Sequence, residues 1–92
     1  MFYIRELLLS STQEEHIWDK HHITPNEVEE TCFGSPWPLR GRDRSYAVYG
    51  RTQAGRYLVV ILYPRGQGVY SVPTARDMTL VERRQYQRQR GR

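Results

Sequence analysis

Phe2, Ile4 and Glu6 fall on one side of an alternating run and Tyr3, Arg5 and Leu7 on the other, which predicts a strand over residues 2–9. A different pattern follows. Thr12-Gln13-Glu14-Glu15, Thr24-Pro25-Asn26-Glu27 and Thr79-Leu80-Val81-Glu82 each match the capping box, in which a threonine hydroxyl accepts from the third residue's amide and the glutamate reaches back. Three helix starts are therefore expected. Pro25 strengthens the second, because at the first helical position its missing N–H would be unpaired anyway.

Gly34 to Arg44 holds two prolines, two glycines and no usable period, so it is expected to be a loop between a helical half and a sheet. Residues 46–51, 57–63 and 69–75 then predict three strands of an antiparallel meander, joined by short connections containing Gly55, Gly66 and Gly68. Leu58-Val59-Val60-Ile61-Leu62 has no polar face and belongs at the centre of the sheet. Pro73 lacks a donor for a ladder bond, so its strand is either at an edge or free of that need there.

The last helix carries no continuous apolar stripe, and only its first turn, with Leu80 and Val81, is expected to dock. Arg83, Tyr86 and Arg90 share one face of it, and Arg84, Arg88 and Arg92 another. Arginines with a tyrosine between them offer charge for phosphate and a ring for a base. A solvated terminal helix is the competing reading of the distal arginines.

Charge sharpens this picture. Residues 1–39 carry two basic against seven acidic side chains, a balance of −5, whereas residues 40–92 carry twelve arginines against three acids, or +9. A field built from arginine suits planar recognition of phosphate and makes nucleic acid the first expected partner. Ninety-two residues bound the chain to one domain, expected over 1–92, and an apolar fraction of 38% with seven tyrosines and two tryptophans argues against disorder. No run of eighteen apolar residues is present and the first residues interrupt any signal-peptide core, so no membrane contact and a cytoplasmic location are expected. The single cysteine, Cys32, reads as a small core residue. His16, His21, His22 and Cys32 lack metal-ligand spacing, and no glycine-rich phosphate loop or Ser-His-Asp set is visible, so neither a metal nor a cofactor is expected.

Thr74-Ala75-Arg76 followed by Glu82-Arg83-Arg84-Gln85-Tyr86 resembles the end of the BrnT family of toxins from bacterial type II toxin–antitoxin operons, small relatives of the RelE/ParE ribonuclease fold. Lys20-His21-His22-Ile23-Thr24 resembles that family's Lys-His-Gly-Val segment between its first two helices. Arg44-Ser45-Tyr46-Ala47-Val48-Tyr49-Gly50-Arg51-Thr52 with Gly55-Arg56 resembles its Arg-containing strand and turn. The chain departs from the pattern at His22, where the family has a left-handed glycine, at Tyr70-Ser71, where an arginine is common, and in its opening strand. The resemblance implies an α+β, compact RelE/BrnT-like domain, with an N-terminal strand and two helices packed on an antiparallel sheet and a basic C-terminal helix. It further implies a metal-independent endoribonuclease toxin that inhibits translation and is neutralised by a cognate antitoxin, the pair binding operator DNA through the antitoxin.

Metal-free RNA cleavage needs a base for the 2′-hydroxyl, an acid for the leaving oxygen and cations around the phosphate. Lys20, His21 and Arg76 are the expected catalytic residues, with His22 as the less favoured imidazole. Arg44, Arg51, Arg83 and Tyr86 are the expected RNA-binding residues. Each has a plain competitor: a Lys-His pair complements a helix C-terminus, and Arg76 can pair with Glu82 or Asp77. The alternative function is a non-catalytic nucleic-acid-binding module. A weaker third is an interaction domain whose arginines meet an acidic protein.

Overall fold

The apolar run Leu58–Leu62 forms the middle of a five-stranded sheet in the computed structural model, which describes residues 2–90. The elements are β1 (Glu6–Leu8), α1 (Ser11–His21), α2 (Pro25–Phe33), β2 (Trp37–Arg40), β3 (Tyr46–Arg51), β4 (Tyr57–Gly66), β5 (Val69–Asp77) and α3 (Leu80–Arg90). In space the strands run β1-β5-β4-β3-β2, which puts β4 at the centre as expected. β3, β4 and β5 form the anticipated antiparallel meander. The sheet as a whole is mixed, because Glu6, Leu7 and Leu8 pair in parallel with Val69, Tyr70 and Ser71. The sheet is antiparallel everywhere except where β1 joins its edge. The opening strand shortens to the three residues that meet β5, while Phe2, Ile4, Leu7 and Leu9 pack against the core.

The segment expected as a loop contains β2. Trp37 lies opposite Tyr49 and Leu39 opposite Ala47, and Pro38 is tolerated because this strand is at the edge. In β5 the register shifts between the Ile61–Thr74 and Tyr63–Ser71 pairs, so Val72 and Pro73 both face Leu62. The proline occupies a bulge, where no ladder donor is required.

α1 begins two residues earlier than the Thr12 box predicts. Ser10 is the N-cap: its hydroxyl accepts from the Gln13 amide at 3.2 Å while Gln13 Oε1 accepts from the Ser10 amide at 3.3 Å. Leu9 is already packed on the core, so the chain must turn at once and the earlier box is used. α2 starts as expected, with reciprocal Thr24–Glu27 bonds of 3.0 and 3.2 Å. Between the helices His22 is left-handed (φ 55°, ψ 45°), the conformation that the resembled family meets with glycine.

α1, α2 and the turn between them bury Ile17, Ile23, Val28 and Cys32 against Val48, Leu58, Val60, Leu62, Val72 and Ala75. Burial pushes the Cys32 thiol up to about 12, which leaves it a neutral packing group. Gly50 lets α2 lie directly on the sheet, since a Cβ there would come within 2.5 Å of the Thr31 carbonyl oxygen.

Arg56, in the turn before β4, locks this layer. Its Nε and Nη2 donate to the two Asp77 carboxylate oxygens at 3.0 and 3.2 Å, its Nη1 to the His22 carbonyl at 2.7 Å, and its Nη2 to the His21 carbonyl at 2.8 Å. Glu27 accepts from Nη1 at 3.3 Å. One guanidinium thus ties the end of α1, the start of α2 and the end of β5 together. Arg56→Leu is expected to lower unfolding free energy by about 2–3 kcal/mol, because charged hydrogen bonds are lost and carbonyls are left unpaired. Arg56→Lys should recover less than half of that, since a point charge cannot fill a planar fork. Urea unfolding of the three proteins measures both values; a leucine variant within about 0.5 kcal/mol of wild type would refute the keystone role.

Candidate nucleic-acid interface

Strand register determines which side chains lie on the sheet face away from α1 and α2. Tyr57, Val59, Ile61 and Tyr63 of β4 alternate with the core residues Leu58, Val60 and Leu62, and their cross-strand partners share their face. Four rows result: Arg51–Tyr57, then Trp37–Tyr49–Val59–Arg76, then Leu39–Ala47–Ile61–Thr74, then Tyr63–Ser71.

α3 packs over the first two rows. It starts at the predicted box, with Thr79–Glu82 bonds of 2.9 and 3.1 Å. Its attachment differs from expectation: Leu80 and Val81 are 62% and 61% exposed, and the helix is held by Glu82 and Tyr86 instead. Arg76 grips Glu82 with two parallel bonds of 2.7 and 2.9 Å, and the Tyr49 hydroxyl donates to the same carboxylate at 3.3 Å. These bonds, with the Arg76 guanidinium foremost, hold the Glu82 carboxyl down at about 2. One turn later the Tyr86 hydroxyl donates to the Ser35 carbonyl at 2.8 Å and its ring is buried.

Because Glu82 and Tyr86 turn inward, Arg83 is carried onto the ring of Tyr57, with its guanidinium carbon 4.2 Å from the centroid. Arg51 approaches the same ring at 5.2 Å. Gln87 Nε2 donates to the Tyr57 hydroxyl at 3.2 Å, and this bond, followed by the fields of the two arginines, lowers the pKa of the phenol. Beside it opens a cleft of about 420 Å³, lined by Arg51, Tyr57, Gln87 and Arg90 and floored by Gly34, Ser35 and Tyr86.

The structure brings the expected RNA-binding residues Arg51 and Arg83 together on one tyrosine. Tyr86, expected to offer a stacking ring, is corrected to a buried support of the cleft. Tyr57 and Gln87 were missed; the Arg51–Tyr57 strand pairing and the i, i+4 spacing of Arg83 and Gln87 are the signals that point to them. Arg44 stands apart, at the opposite end of β3, where Asp43 and Arg44 are both left-handed (φ 53° and 68°). There it lines a second recess of about 410 Å³ with Arg65, Tyr63 and Ser71.

The catalytic trio read from the sequence is divided by the sheet. Lys20 and His21 occupy the last turn of α1, on the α1/α2 side, where they complement the helix's negative end. Asp77 faces that side through Arg56, so Arg76, one residue earlier, faces the other. His21 and Arg76 therefore do not share a site, and Arg76 is engaged with Glu82. Arg92 of the distal arginine face lies outside the described residues. Among the described residues no three His, Cys, Asp or Glu side chains are grouped to hold a metal, and no helix is long and apolar enough to cross a membrane.

The chain is similar in structure to the Brucella abortus ribonuclease toxin BrnT, with a TM-score of 0.68 over 80% of this chain and 96% of that one, at 16% sequence identity. The fold is BrnT-like. No protein-family model and no curated protein matches the sequence. Within the BrnT-like frame, the cleft is assembled from β3, β4 and α3, and the Arg76–Glu82 pair sets the pose of the helix that supplies Arg83.

That pair makes stability depend on acid. Glu82 has a folded-state pKa of about 2 against an ordinary 4.5, so its contribution is complete above pH 4.5 and is lost as pH falls toward 2. Exposure of Arg76 screens the interaction, and we expect a loss of about 1–2 kcal/mol over that window. Glu82→Gln should be less stable at pH 6 and should approach wild type at pH 2. Urea midpoints across that pH range that keep the two proteins equally far apart would overturn the assignment.

Proposed function

We propose that this chain is the ribonuclease toxin of a toxin–antitoxin pair, acting on RNA at the Arg51–Tyr57–Arg83 cleft. The observation that carries the reading is the convergence of two arginines on one polarised phenol in a fold similar to a ribonuclease toxin. Arg51 and Arg83, with Arg90 at the rim, would neutralise the phosphodiester as charge develops on it. The 2′-oxygen attacks phosphorus and releases its proton to water. The bond to the 5′-oxygen then breaks, and the Tyr57 hydroxyl protonates the leaving group. No step calls for a metal ion. Lys20 and His21 serve the end of α1 in this reading, and Arg76 is a positioning residue for α3.

The same cationic face would take an acidic segment of a cognate antitoxin, which would cover the cleft and carry operator DNA binding for the pair. Cleavage of RNA in the cytoplasm would then inhibit translation whenever the antitoxin is absent.

Induced expression in bacteria should arrest growth, and purified protein should cut labelled single-stranded RNA in the presence of a chelator. Arg51→Ala/Arg83→Ala should lower the cleavage rate by about 100-fold or more. Unimpeded growth together with intact, unbound RNA would end this reading. RNA that is bound without being cut would instead favour the non-catalytic module.

A further inference from the structure

Beyond the cleft, α3 leaves much of the sheet face uncovered. Leu39 and Tyr63 are 38% and 37% exposed, Ala47, Ile61 and Thr74 beside them are partly exposed, and Trp37, on the edge strand of the row that α3 reaches, is partly exposed as well. The two ends of this face are both cationic. Arg51, Arg83 and Arg90 stand at the Tyr57 end, and Arg44 and Arg65 line the recess at the Tyr63–Ser71 end. Six residue steps of β4 separate the end rows, about 20 Å. Aromatic and apolar side chains lying between two arginine clusters match the two demands of a single strand of nucleic acid, which stacks its bases and neutralises its phosphates.

We infer that the uncovered face is a track for single-stranded RNA, with a second phosphate-holding site at Arg44 and Arg65. The inference rests on the proposed ribonuclease reading and extends it from a scissile phosphate to a substrate several nucleotides long. About six nucleotides at a stacked rise of ~3.4 Å span the distance between the two arginine sites. Bases passing over Trp37 and Tyr63 lie against rings that every base can stack on, so the track selects single-stranded RNA without strong sequence preference. Asp43 also lines the recess and, among the described residues, has no salt-bridge partner, so Arg44 and Arg65 must outweigh one carboxylate there, with the Gln13, Tyr63 and Ser71 side chains as further polar groups for a phosphate.

Binding of 2′-O-methyl oligouridines separates this inference from cleavage, because they lack the attacking hydroxyl. By fluorescence anisotropy, wild type should bind an octamer at least roughly tenfold tighter than a tetramer, with a steeper salt dependence. Arg44→Asn/Arg65→Gln should abolish that gain and reduce the octamer's log–log salt slope by about 1.4, two phosphates' worth, while leaving the tetramer unchanged. Asparagine keeps the left-handed backbone of Arg44 accessible, and an unaltered melting temperature checks the fold. Arg51→Ala/Arg83→Ala should weaken both lengths. An octamer affinity and slope unchanged in the Arg44/Arg65 variant overturn the track even if RNA is cleaved. A length gain without any cleavage by wild type keeps the track and removes the ribonuclease reading. Loss of affinity for an acidic amphipathic peptide, with octamer binding intact, assigns the face to a protein and overturns the inference.

Discussion

Arg56 is the constraint on which the helical layer depends. Its planar group offers five donors in a fixed fork, and the chain folds so that backbone carbonyls from one helix end and carboxylates from two other segments meet it. The left-handed turn at His22 is what points the last carbonyls of α1 toward that fork. Because Glu27 also caps its own helix, the guanidinium couples the end of one helix to the beginning of the next. The angle between α1 and α2 is therefore held at the same point as the end of β5.

The end of β5 serves both sides of the sheet. Successive side chains alternate across a strand, so Asp77 meets Arg56 on one face and Arg76 meets Glu82 on the other. Ala75 is fully buried beneath them. Thr74-Ala75-Arg76 and Glu82-Arg83-Arg84-Gln85-Tyr86 are thus two halves of one contact, with Glu82 and Tyr86 turned in and Arg83 turned out over Tyr57. The sequence offers Arg76 either Glu82 or Asp77 as a partner, and the register selects Glu82 by turning Asp77 to the other face.

Much of the fold was legible because local signals and burial agree. The Thr24 and Thr79 boxes mark true helix starts, the bounds of β3 follow its alternating pattern, and a run without a polar face occupies the centre. β2 was hidden by its brevity and its two flanking turns, and only pairing with β3 gives it meaning. Ser10 and Thr12 offer competing boxes that differ only in where the preceding strand delivers the chain. The site was half legible. The family-like strand and the face of the last helix pointed to Arg51 and Arg83, but Lys20, His21 and Arg76 share no face, which no spacing in the sequence reveals. Tyr57 escaped because its environment comes from three different elements, whereas the motif placed emphasis on Tyr86.

The parallel pairing of β1 with β5 also governs the order in which the protein can be assembled. Glu6, Leu7 and Leu8 find their partners only at residues 69–71, so β1 waits for β2, β3 and β4 to be made before it gains a neighbour. Loop closure of that length slows folding and leaves the opening apolar residues unsheltered during synthesis. The α3 arginines follow directly on β5 and are made later still. A ribosome must therefore make β5 before the sheet can close, and α3 before the cationic cleft can exist.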